Sequence, residues 1–144
     1  MRALLDVNVV IALFDPDHAF HRRAHDWWLA NKTDGWASCP LTENGAIRIM
    51  SNPNYRLNIR FTTADLTGKF QQFARQTDHE FWPDDISFCD GKSFMMEYLH
   101  SSRLLTDFYL LGLAVKNNGR LVTFDRGIPL SAVSNAKAEN LFVV

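Results

Sequence analysis

Residues 3–14 read ALLDVNVVIALF, and the position of the acid in that apolar run decides the fold. A buried carboxylate is costly unless a cation or hydrogen-bond donors meet it. Exposure at the surface is one resolution, and a site at the end of a strand is another. The second divides the run into a short apolar strand, ALL, an acid at its carboxyl end, Asp6, and a buried helix, VNVVIALF. RLVTFD at residues 120–125 follows the same plan and carries the strongest strand signal in the chain, ending on Asp125.

Working outward, DPDH marks a turn after the first helix, and HAFHRRAHDWWLANK from His18 reads as an amphipathic helix. GWASC is a second strand. PLTENGAIRIMSNP is a helix opened by Pro40 and ended before Pro53. Residues 54–62 read as loop, and TTADLTGKFQQFARQ places Leu66, Phe70 and Phe73 at helical spacing. HEFWP is a third strand, DDISFCDG a connection, and SFMMEYLHSS a short helix. TDFYLLGLAVKNNG is a clearer helix with Thr106 as its N-cap. RGIPL reads as a turn or short helix, and LFVV closes the sheet. Short apolar strands alternating with helices imply an α/β fold whose mostly parallel central sheet, of four or five strands, is covered on both sides. In such folds polar groups at the carboxyl ends of strands gather in one crevice.

At 144 residues the chain matches a single domain, 1–144. A balance of 15 Lys and Arg against 16 Asp and Glu gives no whole-chain argument for nucleic acid, but the charges are segregated. From Arg48 to Arg75 there are five basic side chains, Arg48, Arg56, Arg60, Lys69 and Arg75, against the single acid Asp65. Residues 76–91 carry Asp78, Glu80, Asp84, Asp85 and Asp90 with no Lys or Arg. A nearly neutral protein can therefore turn a basic surface to a polyanion. No apolar run spans a membrane and no export signal opens the chain, so a cytoplasmic location is expected. Cys39 and Cys89 are far apart and read as reduced.

Four acids occupy comparable places. Asp6 and Asp125 end strands, while Glu43 and Asp107 fall in first helical turns, where free backbone amides favour negative charge. Gathered at one end of the domain they would repel one another unless a hard divalent cation compensated, and all-oxygen ligands suit Mg²⁺ or Mn²⁺. Such a site hydrolyses phosphate esters, with water activated at the metal. Asn8, Thr106 and Thr123 can orient water, a carboxylate or the phosphate. Arg126, beside the last acid, can steady a phosphate or an inhibitor carboxylate.

The ordered segments LLDVNVVIALF, LTENGAIRIMSNP and LLTDFYLLGLAVKNNGRLVTFDRGI closely resemble the PIN-domain family, specifically the ribonuclease toxins of bacterial VapBC toxin–antitoxin pairs. The resemblance runs from Ala3 to the closing LFVV. It implies that Asp6, Glu43, Asp107 and Asp125 are the family's first to fourth metal-binding acids. Asn8 then matches the small polar residue after the first acid, and Thr123 the hydroxyl residue before the last. It also implies a PIN-like three-layer α/β/α sandwich and an Mg²⁺- or Mn²⁺-dependent endoribonuclease whose products carry a 5′-phosphate and a 3′-hydroxyl. The expected partners are RNA, a second copy in a homodimer, and a cognate VapB-like antitoxin whose C-terminal segment fills the groove.

Two other readings compete. A metal-dependent phosphatase also uses a strand-end acid, although phosphatases with an aspartyl nucleophile commonly carry a second Asp where this chain has Asn8. A non-catalytic PIN-like domain would keep the groove to bind RNA or protein. His18, His21 and His25 share a helix face at zinc-compatible spacing, but Arg22 and Arg23 oppose a cation there. Trp27, Trp28, Trp36, Phe70, Phe73, Phe81 and Trp82 read as packing groups before base-stacking ones. Arg48, Arg56, Arg60, Lys69 and Arg75 are candidate contacts to an RNA backbone or an acidic antitoxin segment.

Overall fold

The computed structural model describes Met1–Val144. Its sheet has strands β1 (Ala3–Leu5), β2 (Trp36–Ser38), β3 (His79–Phe81), β4 (Arg120–Thr123) and β5 (Leu141–Val143) in the order β3-β2-β1-β4-β5. Every pairing is parallel. Alternation along the strands divides the core in two: Leu4, Ala37 and Leu121 turn to one face, and Ala3, Leu5, Trp36 and Val122 to the other. Helices α1 (Val7–Phe14), α2 (His21–Asn31), α3 (Pro40–Met50) and α4 (Thr63–Gln76) cover the second face. The first face is covered by α5 (Leu105–Lys116), buried continuously from Phe108 to Ala114, with irregular chain around Phe94 and Ile128. The result is the expected three-layer α/β/α sandwich.

The chain leaves β1 through α1 and α2 to pair β2 on one side, whereas β4 arrives after α5 on the other. Beyond the carboxyl ends of β1 and β4 the strand order therefore reverses, which leaves a crevice where no connection crosses. The opposite end of the sheet is closed by Arg2, which pairs with Asp78 at 2.9 Å and Glu80 at 3.0 Å. Gly35 lies beneath that guanidinium at φ +75°, and a Cβ there would fall 2.4 Å from it.

Three local expectations are corrected. SFMMEYLHSS is not a helix: Phe94 pairs antiparallel with Val133, and the Met95 amide donates to the Ala132 carbonyl at 2.9 Å. Only Met96–Tyr98 complete a single 3₁₀ turn. Phe94 instead fills the core, its ring stacked on Phe108 with centroids 6.0 Å apart. Thr106 does not cap α5, because a 3₁₀ turn at Ser102–Leu104 runs into the helix and leaves Leu104 in the capping position. Finally, α2 begins at His21 rather than His18, since the His18 amide is held in a turn by the Asp15 carbonyl at 3.0 Å.

Candidate active site

Asp6 is the hinge between β1 and α1. Its backbone amide still belongs to the sheet, donating to the Val122 carbonyl at 3.0 Å, while its carbonyl accepts from Val9 and Val10 to start the helix. The side chain is 3% exposed and makes no capping bond. Instead Oδ2 accepts a hydrogen bond of 3.0 Å from the buried Thr123 hydroxyl at the end of β4. The same hydroxyl oxygen accepts from the Asp125 amide at 3.0 Å, and Asp125 Oδ1 accepts from the Gly127 amide at 2.7 Å. Thr123 thus ties the two strand ends together, with one acid buried and the other, Asp125, exposed at the rim.

Burial pushes the Asp6 carboxyl up to about 6; the Thr123 hydroxyl works against this and the Asp125 charge adds to it. Asp107, half-buried in the first turn of α5, is pushed up to about 7 by burial and then by the charges of Asp6 and Asp125. Position in a first helical turn should lower it, but both side-chain charges acting on it are negative. Asp6, Asp107 and Asp125, from the end of β1, the first turn of α5 and the loop after β4, therefore lie within electrostatic reach at this end of the sheet, and the charges of Asp6 and Asp125 favour the protonated form of Asp107.

Glu43 stands apart from this trio. Helix α3 is fixed at its start by Pro40, by the Thr42 hydroxyl accepting from the Cys39 amide at 3.0 Å, and by Gly45, where a Cβ would lie 2.7 Å from Val7 Cγ2. That contact sets α3 against the first residue of α1. Glu43 Oε1, however, accepts from the Ser38 hydroxyl at 2.6 Å, and the Ser38 oxygen also lies 2.8 Å from His79 Nε2. As the side chains lie, no three His, Cys, Asp or Glu residues stand close enough together to hold a metal ion. Burial holds the His79 ring below the usual histidine range, with the Glu43 charge pulling the other way.

No family model matches the chain, but whole-length relatives do. It is 45% identical over 144 residues to ribonuclease VapC44 of Mycobacterium tuberculosis, covering 98% of each chain. Ribonuclease VapC39 of the same organism is 39% identical over 132 residues, 92% of this chain and 94% of that protein. Ribonuclease VapC38 is 40% identical over 126 residues, covering 88% and 86%. This chain belongs to the VapC family of PIN-domain toxins.

In this VapC-family chain the remaining polar candidates are dispersed. Asn8 is exposed on the first turn of α1, and Thr106 is exposed and lines a groove with Leu41, Asp84 and Tyr109. Among the basic residues, Arg56 is bound to Asp15 at 2.7 Å and Asp17 at 3.1 Å, and the Lys69 ammonium donates to the Phe14 carbonyl at the end of α1. Arg48, Arg60, Arg75 and Arg126 are exposed. Of the histidines, His21 is bonded to the Ala12 carbonyl at 2.7 Å and His18 Nδ1 accepts from the Phe20 amide. Trp27, Trp28, Trp36 and Phe70 are buried, with Phe73 packed against them; Trp82 is buried in the other core, and Phe81 is exposed. Both cysteines are free, and burial pushes the Cys39 thiol up to about 11.

Sequence reasoning missed Asp15, Ser38 and His79. Asp15 is buried, and the Tyr55 hydroxyl, the Asp17 amide and Arg56 overcome the effect of burial to hold its carboxyl below the ordinary range. The period-two pattern of β2 puts Ser38 on the same face as Trp36, which was the available signal for Ser38. No helix of the chain is long and apolar enough to cross a membrane.

Proposed function

We propose that this chain is an Mg²⁺- or Mn²⁺-dependent endoribonuclease, the toxin of a type II toxin–antitoxin pair, with Asp6, Glu43, Asp107 and Asp125 as the cation's ligands. The observation that carries this reading is the convergence of Asp6, Asp107 and Asp125 at the switch-point crevice, where burial and mutual repulsion raise Asp107 to about 7. All-oxygen donors with excess negative charge fit a hard divalent cation. When bound, such an ion offsets the carboxylate repulsion, lowers the pKa of water and stabilises the leaving oxygen of a phosphodiester.

The chain's own groups supply the rest. Thr123 fixes the Asp6 carboxylate through its hydroxyl, so that ligand is held in place before an ion arrives. Asp125 is exposed at the rim and meets the incoming phosphate side of the crevice. Exposed Arg48, Arg60, Arg75 and Arg126 neutralise phosphates without reading bases, which suits a single RNA strand drawn across the acids. No covalent enzyme intermediate is required, and the products are a 5′-phosphate and a 3′-hydroxyl. The reading takes residues 1–144 as one domain acting in the cytoplasm as a homodimer, silenced by a VapB-like antitoxin. Its support beyond the geometry is the 45% identity to a protein named as a ribonuclease.

Purified protein incubated with RNA in Mg²⁺, in Mn²⁺ and in EDTA tests it. Cleavage in either metal, none in EDTA, and none by Asp6→Asn or Asp107→Asn is expected. Cleavage that survives chelation, full activity in either variant, binding without turnover, or preference for a small phosphomonoester overturns it.

A further inference from the structure

We propose that Phe20, Phe124 and Arg23 form a shelf that stacks a nucleobase of single-stranded RNA beside the strand-end acids, an inference that deepens the nuclease reading and rests on it. The shelf is built where the start of α2 meets the carboxyl ends of β4 and β5. Phe124 lies between Thr123, whose hydroxyl holds Asp6, and Asp125. It is therefore one Cα spacing, about 3.8 Å, from each along the chain. Its ring packs on the Phe20 ring with centroids 4.9 Å apart and planes inclined by 39°. The Arg23 guanidinium carbon lies 5.3 Å from the centre of the Phe20 ring and 5.9 Å from that of Phe124. Arg23 also donates to the Val144 carbonyl, and the Val144 amide donates to the Thr123 carbonyl at 2.9 Å. The cation is thereby tied to the same end of the sheet as the acids.

Packing alone does not account for Phe20. It occupies the N-cap of α2, where a Ser, Thr, Asp or Asn side chain would bond a free helical amide, and it makes no capping bond. The residue is 41% exposed, although Trp27 and Trp28 of the same helix are only 7% and 8% exposed. A helix cap and the burial of a large apolar ring are thus forgone at one position, a break in local rules that belongs to sites rather than to cores. The backbone there is nonetheless fixed, since the Phe20 amide donates to His18 Nδ1 at 3.1 Å.

The chemistry of the shelf selects its occupant. Aromatic rings beside a guanidinium suit a flat π system carried on an anionic backbone, which is a base of an unpaired strand. Arg23 and exposed Arg126 stand on either side of Phe124 in the chain and can neutralise the flanking phosphates. Every base has a π face, so the shelf adds affinity and holds the strand alongside Asp125 without reading sequence.

Fluorescence anisotropy of the full chain with labelled oligo(A), in EDTA so that the strand stays whole, tests the shelf. Phe20→Leu keeps an apolar group on Phe124 without a π face and should weaken binding about 5- to 150-fold. Phe20→Trp should stay near wild type. An oligomer with the same phosphates on abasic sugars should bind the unsubstituted protein more weakly than oligo(A) and should not distinguish it from Phe20→Leu. Mn²⁺ binding without RNA, followed by calorimetry, should be equal in Phe20→Leu and wild type. Equal binding of oligo(A) by Phe20→Leu and wild type, or of both oligomers by wild type, overturns the shelf, and metal-dependent RNA cleavage by wild type then leaves the nuclease reading standing. Mn²⁺ binding lost along with RNA binding also overturns the shelf, because the effect then comes through the acids. Oligo(A) binding that depends on Phe20, in a protein that cleaves no RNA in either metal, keeps the base site and removes the nuclease reading. If Phe20→Leu does not fold, Phe20→Asn, which supplies the missing helix cap, decides by the same criteria.

Discussion

Asp6→Asn should make the metal-free protein more stable at neutral pH, although it removes a residue proposed to be essential for activity. The carboxyl is buried and raised from the ordinary 3.8 to about 6. A group whose pKa is raised by folding favours the folded state fully below its unfolded value, and that contribution is lost as pH rises through the folded value. At 1.36 kcal/mol per pKa unit, a rise from 3.8 to about 6 amounts to roughly 3 kcal/mol of destabilisation above pH 7. Asn has nearly the same shape, carries no charge at any pH and can still accept the Thr123 hydroxyl through its side-chain oxygen. Its substitution also relieves Asp107, which the Asp6 charge pushes up. Urea unfolding in EDTA at a series of pH values measures the difference. The variant should match wild type near pH 4, gain progressively between pH 4 and 7, and lead by about 3 kcal/mol at pH 8. Saturating Mg²⁺ should narrow or reverse the gap, because an ion that binds only the folded wild type stabilises it by mass action. A variant no more stable than wild type at pH 8 in EDTA refutes the account of Asp6 as a buried, uncompensated charge.

Three further outcomes follow from the same contacts. Mn²⁺ affinity should fall steeply as pH drops from 8 to 6, since Asp6 and Asp107, raised to about 6 and 7, must lose protons before they can ligate; calorimetric titrations with equal affinity at both pH values exclude this. Thr123→Val should cost about 1–3 kcal/mol in chemical denaturation by leaving the Asp6 oxygen and the Asp125 amide without their partner, and Thr123→Ser should recover most of it. Arg56→Met should destabilise the protein at pH 7, because it strips a charged partner from buried Asp15. The Asp15 carboxyl is lowered by its partners, so the stability it contributes is present above the ordinary carboxylate value and lost below it, and the Arg56→Met penalty should shrink in denaturation curves taken below pH 4.

The parts of the site that could be read from the sequence are those the backbone delivers directly. Asp6 and Asp125 stand where a strand ends, and the periodicity of ALL and RLVT marks those ends, so the crevice could be placed without knowing any contact. Local preference misled where a nonlocal bond or a neighbouring turn outweighed it. Thr106 has the chemistry of an N-cap, yet the Ser102–Leu104 turn already occupies the entry to α5, with the Ser101 hydroxyl accepting from the Arg103 amide at 3.3 Å. SFMMEYL has helical apolar content, yet its backbone pairs with residues 132–134. Arg56 had the charge expected of a phosphate contact and is bound to an acid 41 positions away.

Glu43 combines both situations. Its place in the first turn of α3 was legible, because Pro40 announces the helix. The direction of its carboxylate was not, since that depends on the β2–β3 register that sets His79 opposite Trp36 within reach of Ser38. Asp6, Asp107 and Asp125 come within electrostatic reach of one another at the strand ends, whereas the Glu43 carboxylate is held apart from them by the Ser38 hydroxyl at the end of β2. That difference makes Glu43 the acid whose orientation neighbouring residues can alter without touching Asp6, Asp107 or Asp125.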